Sequence, residues 1–235
     1  MKNYLFIFTL LLSTFSIAQG SNNFSSNLSS ATNDNTQQNM FNAVNYQGAY
    51  LANGKSSAVI GTPFAFEDAT IEITSKEGKV YKVPNGNYNA KSNQIVSNFA
   101  KDSSFVFDAK AIESVKFDKY VAKIYRDEDS KAKFFFELTP HTTVKLLKRY
   151  EAIIKDGQIN VMTKQKTSPD KFVINDSYAI SKDGVTTEEF KLKKKSILKL
   201  LEDKKKLIEK FVDDNDLSYK EEADVVKIFN YYSIN

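Results

Sequence analysis

From Val59 to Leu192 apolar and polar residues alternate in short runs broken by turn residues, the pattern of antiparallel strands with one buried face. Thr70-Ile71-Glu72-Ile73-Thr74 alternates, Ser75-Lys76-Glu77-Gly78 turns, and Lys79-Val80-Tyr81-Lys82-Val83 returns. This predicts a hairpin in which Gly78 takes positive φ. Further strands are predicted at Ser104 to Asp108, Ile112 to Phe117, Tyr120 to Tyr125, Lys133 to Leu138, Leu146 to Ile154 and Ser177 to Ile180. Gly157, Pro169 and Gly184 punctuate the later part. No 3.6-residue period is sustained, and the pattern leaves a meander, a sandwich and an open barrel equally available.

After Leu192 the period changes. Ile197, Leu198, Leu200 and Leu201, then Leu207, Ile208, Phe211 and Val212, then Val225, Val226, Ile228 and Phe229 recur at three- and four-residue steps. These are amphipathic helices. Asp213 to Asp216 interrupts them, and Ser218-Tyr219-Lys220-Glu221 has the form of a capping box opening a last helix. The expected fold class is α+β: a mainly antiparallel sheet over 59–192, with two or three short helices over 193–235 packed on it.

The N-terminus carries a different signal. Met1-Lys2-Asn3, the apolar run Tyr4 to Leu12 and the small residues of Ser16-Ile17-Ala18 match a secretory signal peptide cleaved after Ala18. The run falls short of the roughly 20 residues that span a bilayer, and Thr9, Ser13, Thr14 and Ser16 interrupt it. Residues 19–58 read as a Ser/Asn-rich tether, too polar to offset its ordering entropy. The expected product is exported to periplasm, cell surface or medium, with no transmembrane span after cleavage.

Composition narrows the chemistry. Losing Lys2 leaves 32 basic against 29 acidic residues, a net charge of +3, too balanced for a nucleic-acid binder. With no cysteine there are no disulfides, thiolate metal sites or cysteine nucleophiles, and no lipid-modified cysteine follows the signal. The 18 Phe and 12 Tyr make an aromatic-rich core available. No cofactor is implied.

Gly61-Thr62-Pro63-Phe64, Gly78-Lys79-Val80-Tyr81, Asn87-Tyr88-Asn89, Phe135-Phe136-Glu137-Leu138 and Leu146-Leu147-Lys148-Arg149-Tyr150, in that order, resemble a family of uncharacterised secreted proteins from Bacteroidota. Lys193-Lys194-Lys195, Asp203-Lys204-Lys205-Lys206 and Asn230-Tyr231-Tyr232 are similar to it as well. Glu202 stands where the pattern has proline, and Pro84-Asn85-Gly86 departs from it. The resemblance implies fold and location and carries no activity.

No catalytic, cofactor or metal-binding residue is nominated. His141, the single histidine, would have to serve any triad or histidine base, but lies in Thr139-Pro140-His141-Thr142-Thr143 without a nucleophile motif and reads as a loop residue. Asp127-Glu128-Asp129 reads as a hairpin loop. An EF-hand begun at Asp214 fails, because Tyr219 replaces its glycine and Val225 its final glutamate. Lys191 to Lys210 carries a local charge of +6 and Phe211 to Asn235 one of −4. Lys193, Lys194, Lys195, Lys204, Lys205 and Lys206 are therefore candidate contacts for an anionic polymer or lipid, against a simpler reading in which the basic helix folds onto the acidic one. In Phe134-Phe135-Phe136 alternate rings face opposite ways, so a helix or a groove must lie on the second face. The expected function is a non-enzymatic binding or structural module of a bacterial envelope. Its partner would be an envelope polymer, anionic lipid or another envelope protein. The alternative is an envelope hydrolase using an unrecognised acid pair or His141 as base.

Overall fold

A computed structural model describes residues 48–52, 59–100 and 103–235, with backbone only for 48–52 and 99–100. The signal segment and most of the expected tether lie outside the described residues. The strands are β1 (Gly48–Ala52), β2 (Val59–Ile60), β3 (Ala69–Ser75), β4 (Val80–Asn89), β5 (Gln94–Ala100), β6 (Ser103–Phe107), β7 (Ile112–Phe117), β8 (Tyr120–Arg126), β9 (Ala132–Glu137), β10 (Lys145–Lys155), β11 (Asp170–Ser181) and β12 (Glu188–Phe190). Three helices follow: α1 (Lys194–Leu200), α2 (Lys205–Asp214) and α3 (Glu222–Ile234). The fold class is α+β.

All twelve strands join one sheet, ordered β1-β6-β5-β4-β3-β7-β8-β9-β10-β11-β12, with β2 pairing parallel to β11. β1 lies within the stretch read as tether. Five residues of small and apolar character give too short a period to stand out, and pairing with β6 is what orders them. The hairpin of β3 and β4 turns at Gly78, whose φ is 81°.

The sheet curls so that its two halves share one core. Ile71 and Ile73 of β3, Tyr88 of β4, Ile95 of β5, Phe105 and Phe107 of β6, Val115 of β7, Ala122 of β8, Phe134 and Phe136 of β9 and Ala152 of β10 are buried together. Bulges between Ala69 and Ile71 and between Asn98 and Ala100 supply the bending. The turn after β4 reaches the opposite half: Ala152 N donates to Ala90 O at 3.2 Å, and Phe134 N to Asn93 Oδ1 at 2.9 Å.

β10 and β11 are long enough to serve two cores. Leu146, Lys148, Tyr150 and Ala152 project from one face of β10. Tyr150 and Ala152 join the β core, whereas Leu146, with Ile180 of β11 and Phe190 of β12, joins Ile197, Leu201, Ile208, Val225 and Phe229 of the helical segment. The helices thus extend the same side of the sheet instead of covering its reverse.

The last helix begins later than the capping box predicts. Ser218 Oγ accepts from Lys220 N at 3.2 Å, Glu221 occupies the cap position without a side-chain cap, and Asp224 Oδ2 accepts from Ser218 N at 3.0 Å. A carboxylate inside the first turn holds the Ser218 amide that the capping box assigns to Glu221, and its place at the positive helix end favours it there.

Candidate functional site

Phe135 marks the second face. The alternation that buries Phe134 and Phe136 turns it to the reverse of the sheet, together with Glu137, Lys133, Tyr125, Lys123, Leu147, Arg149, Ser177 and Ala179. Among the described residues no helix covers this face. Tyr125, Phe135, Leu147 and Ala179 form a small cluster of their own, with the Tyr125 and Phe135 rings edge-on at 6.0 Å. The loop between β11 and β12 crosses toward β8: Arg126 N donates to Val185 O at 2.8 Å and Thr187 N to Arg126 O at 2.9 Å. Asp183 fixes that loop. Its carboxylate accepts from the Thr186 hydroxyl and from the Val185 and Thr186 amides, which hold it far below the usual carboxylate range.

On one side of this bridge lies a hollow of about 420 Å³, lined by Asp127, Lys133, Phe135, Arg149, Ser177, Thr187 and Glu189 among others. The 3%-exposed Phe135 ring lies at its base, and its rim carries both charges. Several rim groups already serve the chain. Asp127 is bonded to Lys133 at 2.7 Å and accepts from the Lys131 and Asp129 amides, and these contacts, led by Lys133, lower its pKa. Glu128 Oε1 accepts from Glu189 N at 2.9 Å. Arg149 Nη2 meets Glu151 Oε2 at 2.8 Å, an open pairing that a ligand anion can replace.

Glu137 sits on the same face and is 2% exposed. The Tyr125 hydroxyl donates to its Oε1, Lys123 Nζ stands 3.4 Å from Oε2, and Lys145 Nζ stands 3.7 Å from Oε1. Oε2 itself makes no hydrogen bond. Burial, reinforced by the bond to Glu137, pushes the Tyr125 phenol far up. This is a structural ion cluster: a carboxylate desolvated and held by two cations.

A second polar cluster joins sheet and helices. Lys148 Nζ bonds Glu222 Oε2 at 2.6 Å and Asp176 Oδ2 at 3.2 Å, and Tyr178 donates to Glu222 Oε2 at 2.9 Å. Burial works to lower the Lys148 pKa, but Glu222 and the Tyr150 and Asp176 groups outweigh it and hold the ammonium charged.

His141 is exposed in the turn between β9 and β10. The hollow beside it is lined by Thr142, Phe211, Lys227, Asn230, Tyr231, Ser233 and Ile234, which supply no carboxylate to orient an imidazole. The six candidate lysines divide. Lys194 pairs with Glu209 at 3.5 Å and lies over the Tyr219 ring, and Lys204 donates to Tyr232 O at 3.3 Å and lies over that ring. Lys193, Lys195, Lys205 and Lys206 are exposed. The basic and acidic helices meet chiefly through apolar side chains, with the Phe211 and Tyr231 rings stacked at 3.8 Å. Among the described residues no three His, Cys, Asp or Glu side chains gather as a cation site, and no helix is long and apolar enough to cross a membrane.

Arg149, Glu137 and Lys148 stand in the resembling motifs, but their places in these clusters escaped the sequence reading. The parity of Phe135 assigns Glu137 to its face, so that part was available; the partners come from other strands and, for Lys148, from 74 residues away. Comparison with family models, curated proteins and solved structures finds no match to this chain.

Proposed function

We propose that the chain is an exported, non-enzymatic binding or structural module of a bacterial envelope, with its ligand seated in the hollow over Phe135. One observation carries this reading: a hollow based on Phe135 is rimmed by Arg149 and the Ser177 hydroxyl, while Asp127, Glu128 and Thr187 hold Lys133, the chain's own amides and the Arg126 carbonyl. Such a concavity recognises a ligand by packing and hydrogen bonding. The signal pattern at Met1 to Ala18 and the resemblance to secreted Bacteroidota proteins support an envelope location.

The test has two arms. Envelope polymer, probed as purified peptidoglycan sacculi, is expected to retain the protein, and Arg149→Ala to weaken retention about tenfold, as loss of an arginine anchor does. Alanine variants of His141 and of the hollow's carboxylates, assayed on envelope glycans and esters, are expected to show no abolished turnover. A single carboxylate or His141 variant that removes a measured hydrolysis establishes the hydrolase instead. Mass spectrometry of the exported product should find Gln19 at its N-terminus.

A further inference from the structure

Ten large hydrophobic side chains are exposed among the described residues, and six share one end of the molecule: Ile60, Ile153, Ile154, Ile159, Val161 and Met162. They occupy the ends of β10 and β11, the adjoining β2, and the arm of residues 156–169 that links the two long strands. The arm is built. Thr167 N donates to Gln158 O and Asn160 N to Gln165 O, while Gly157 N reaches Asp170 Oδ1 at 2.7 Å. At its apex Asn160 Oδ1 accepts from Met162 N and Thr163 N, and Lys164 adopts φ 58°.

This fixed turn holds Val161 and Met162 outward, 78% and 92% exposed. Apex positions of turns ordinarily carry polar or glycine residues. Here the apolar tip stands at the same end of the molecule as the exposed Ile60, Ile153, Ile154 and Ile159, a clustering that scattered surface hydrophobics do not show. The surrounding charge has one sign in excess. Lys155, Lys164 and Lys171 are exposed, Lys91 lies over the adjacent Phe172 ring, and Lys166 pairs with Asp170, leaving Asp156 as the arm's remaining acid.

We propose that this arm docks the protein on an anionic lipid bilayer. Val161 and Met162 enter the boundary between headgroups and acyl chains, and the lysines meet lipid phosphates with their stems along the apolar surface. The candidate C-terminal lysines belong instead to the helical segment, whose core packs on Leu146 and Ile180. The inference is independent of the ligand in the hollow over Phe135.

The chain has no tryptophan, so Met162→Trp places a single reporter at the tip. With phosphatidylglycerol–phosphatidylcholine vesicles its emission should shift to the blue, and with phosphatidylcholine alone it should not. Lys155→Gln with Lys164→Gln should weaken binding by more than tenfold, since each lysine near an anionic surface is worth on the order of fivefold. Leu207→Trp, in α2, should keep its emission. Absence of the Met162→Trp shift, an equal shift with neutral vesicles, or a lipid-independent shift that grows with protein concentration overturns the proposal; the last would mark the arm as a contact between copies of the chain. Cosedimentation of the unsubstituted chain, reduced by Val161→Ser with Met162→Ser at unchanged melting temperature, provides the check free of the reporter.

Discussion

At Gly86 a Cβ would stand 2.3 Å from Ile71 Cγ1 and 2.4 Å from its Cδ1, both inside the β core. Nothing there yields cheaply, since Ile71 is wholly buried. Gly86→Ala is therefore expected to lower stability by about 2 kcal/mol, the usual cost of overpacking, as a fall in the urea midpoint at unchanged slope. Pro84-Asn85-Gly86, which departs from the pattern of the resembled family, is made of turn-forming residues. In the structure it is a bend within β4, with Asn85 at φ 51° and Gly86 still paired to Ser97 and Ala69. Local propensity points to a turn; pairing on both sides overrides it. Glu137 shows the complementary limit. Its face follows from the parity of its neighbours, but a lone acid after three phenylalanines gives no hint that Tyr125, Lys123 and Lys145 converge on it.

The helical segment is fastened to the sheet at two levels. Apolar burial of Ile197, Ile208, Ile228 and Phe229 against Leu146 and Ile180 supplies most of the attachment. Glu222 then fixes the angle of α3, because its carboxylate takes Lys148 from β10 and Tyr178 from β11 together. Glu222→Ala leaves the Lys148 ammonium with Asp176 alone in a site where it is 14% exposed. The expected loss is about 2 kcal/mol, the scale of a hydrogen bond to a charged group. Amide exchange should locate it, rising first in α3 while β3 and β9 stay protected. The three- and four-residue period announces these helices. Their docking side is invisible in it, since Lys148 and Glu222 each look like ordinary surface charges.

For the molecule as a whole, charge sets a stability window. Asp127, Asp170, Asp183 and Asp224 are held below the ordinary 3.8 by their bonds to Lys133, Lys166, Thr186 and Lys227 respectively. A carboxylate depressed by folding stabilises above its unfolded pKa, and that contribution is lost as pH falls through the folded value. Tyr88, Tyr125 and Tyr178 are pushed far above the ordinary 10.0, chiefly by burial, and Tyr150 up to about 12. A raised group contributes fully below its unfolded pKa and loses that contribution as pH rises through the folded one. Melting temperature should thus hold a plateau from about pH 5 to about pH 9 and fall on both sides. Tyrosinate absorbance checks the alkaline limb: these four phenols should ionise only with unfolding, and free titration of all tyrosines near pH 10 would contradict their burial.

Period and turn chemistry alone determined that this chain makes antiparallel strands followed by short amphipathic helices, because burial of one face imposes a repeat of two or of 3.6 residues. Composition alone removed thiol chemistry and pairs of histidines. The N-terminal pattern and the order of short motifs carry the expectation of export. Tertiary structure decided the rest. Strand order is set by which edges meet, so the joining of β3 to β7, the curling round one core and the recruitment of β1 have no local signature. The placing of the helices along one side of β10 and β11, which leaves the Phe135 and Arg149 face without a described helix, depends on contacts between residues far apart in sequence. So does the arm. Val161 and Met162 are apolar by type, and the turn closed by Asn160 is what turns them outward.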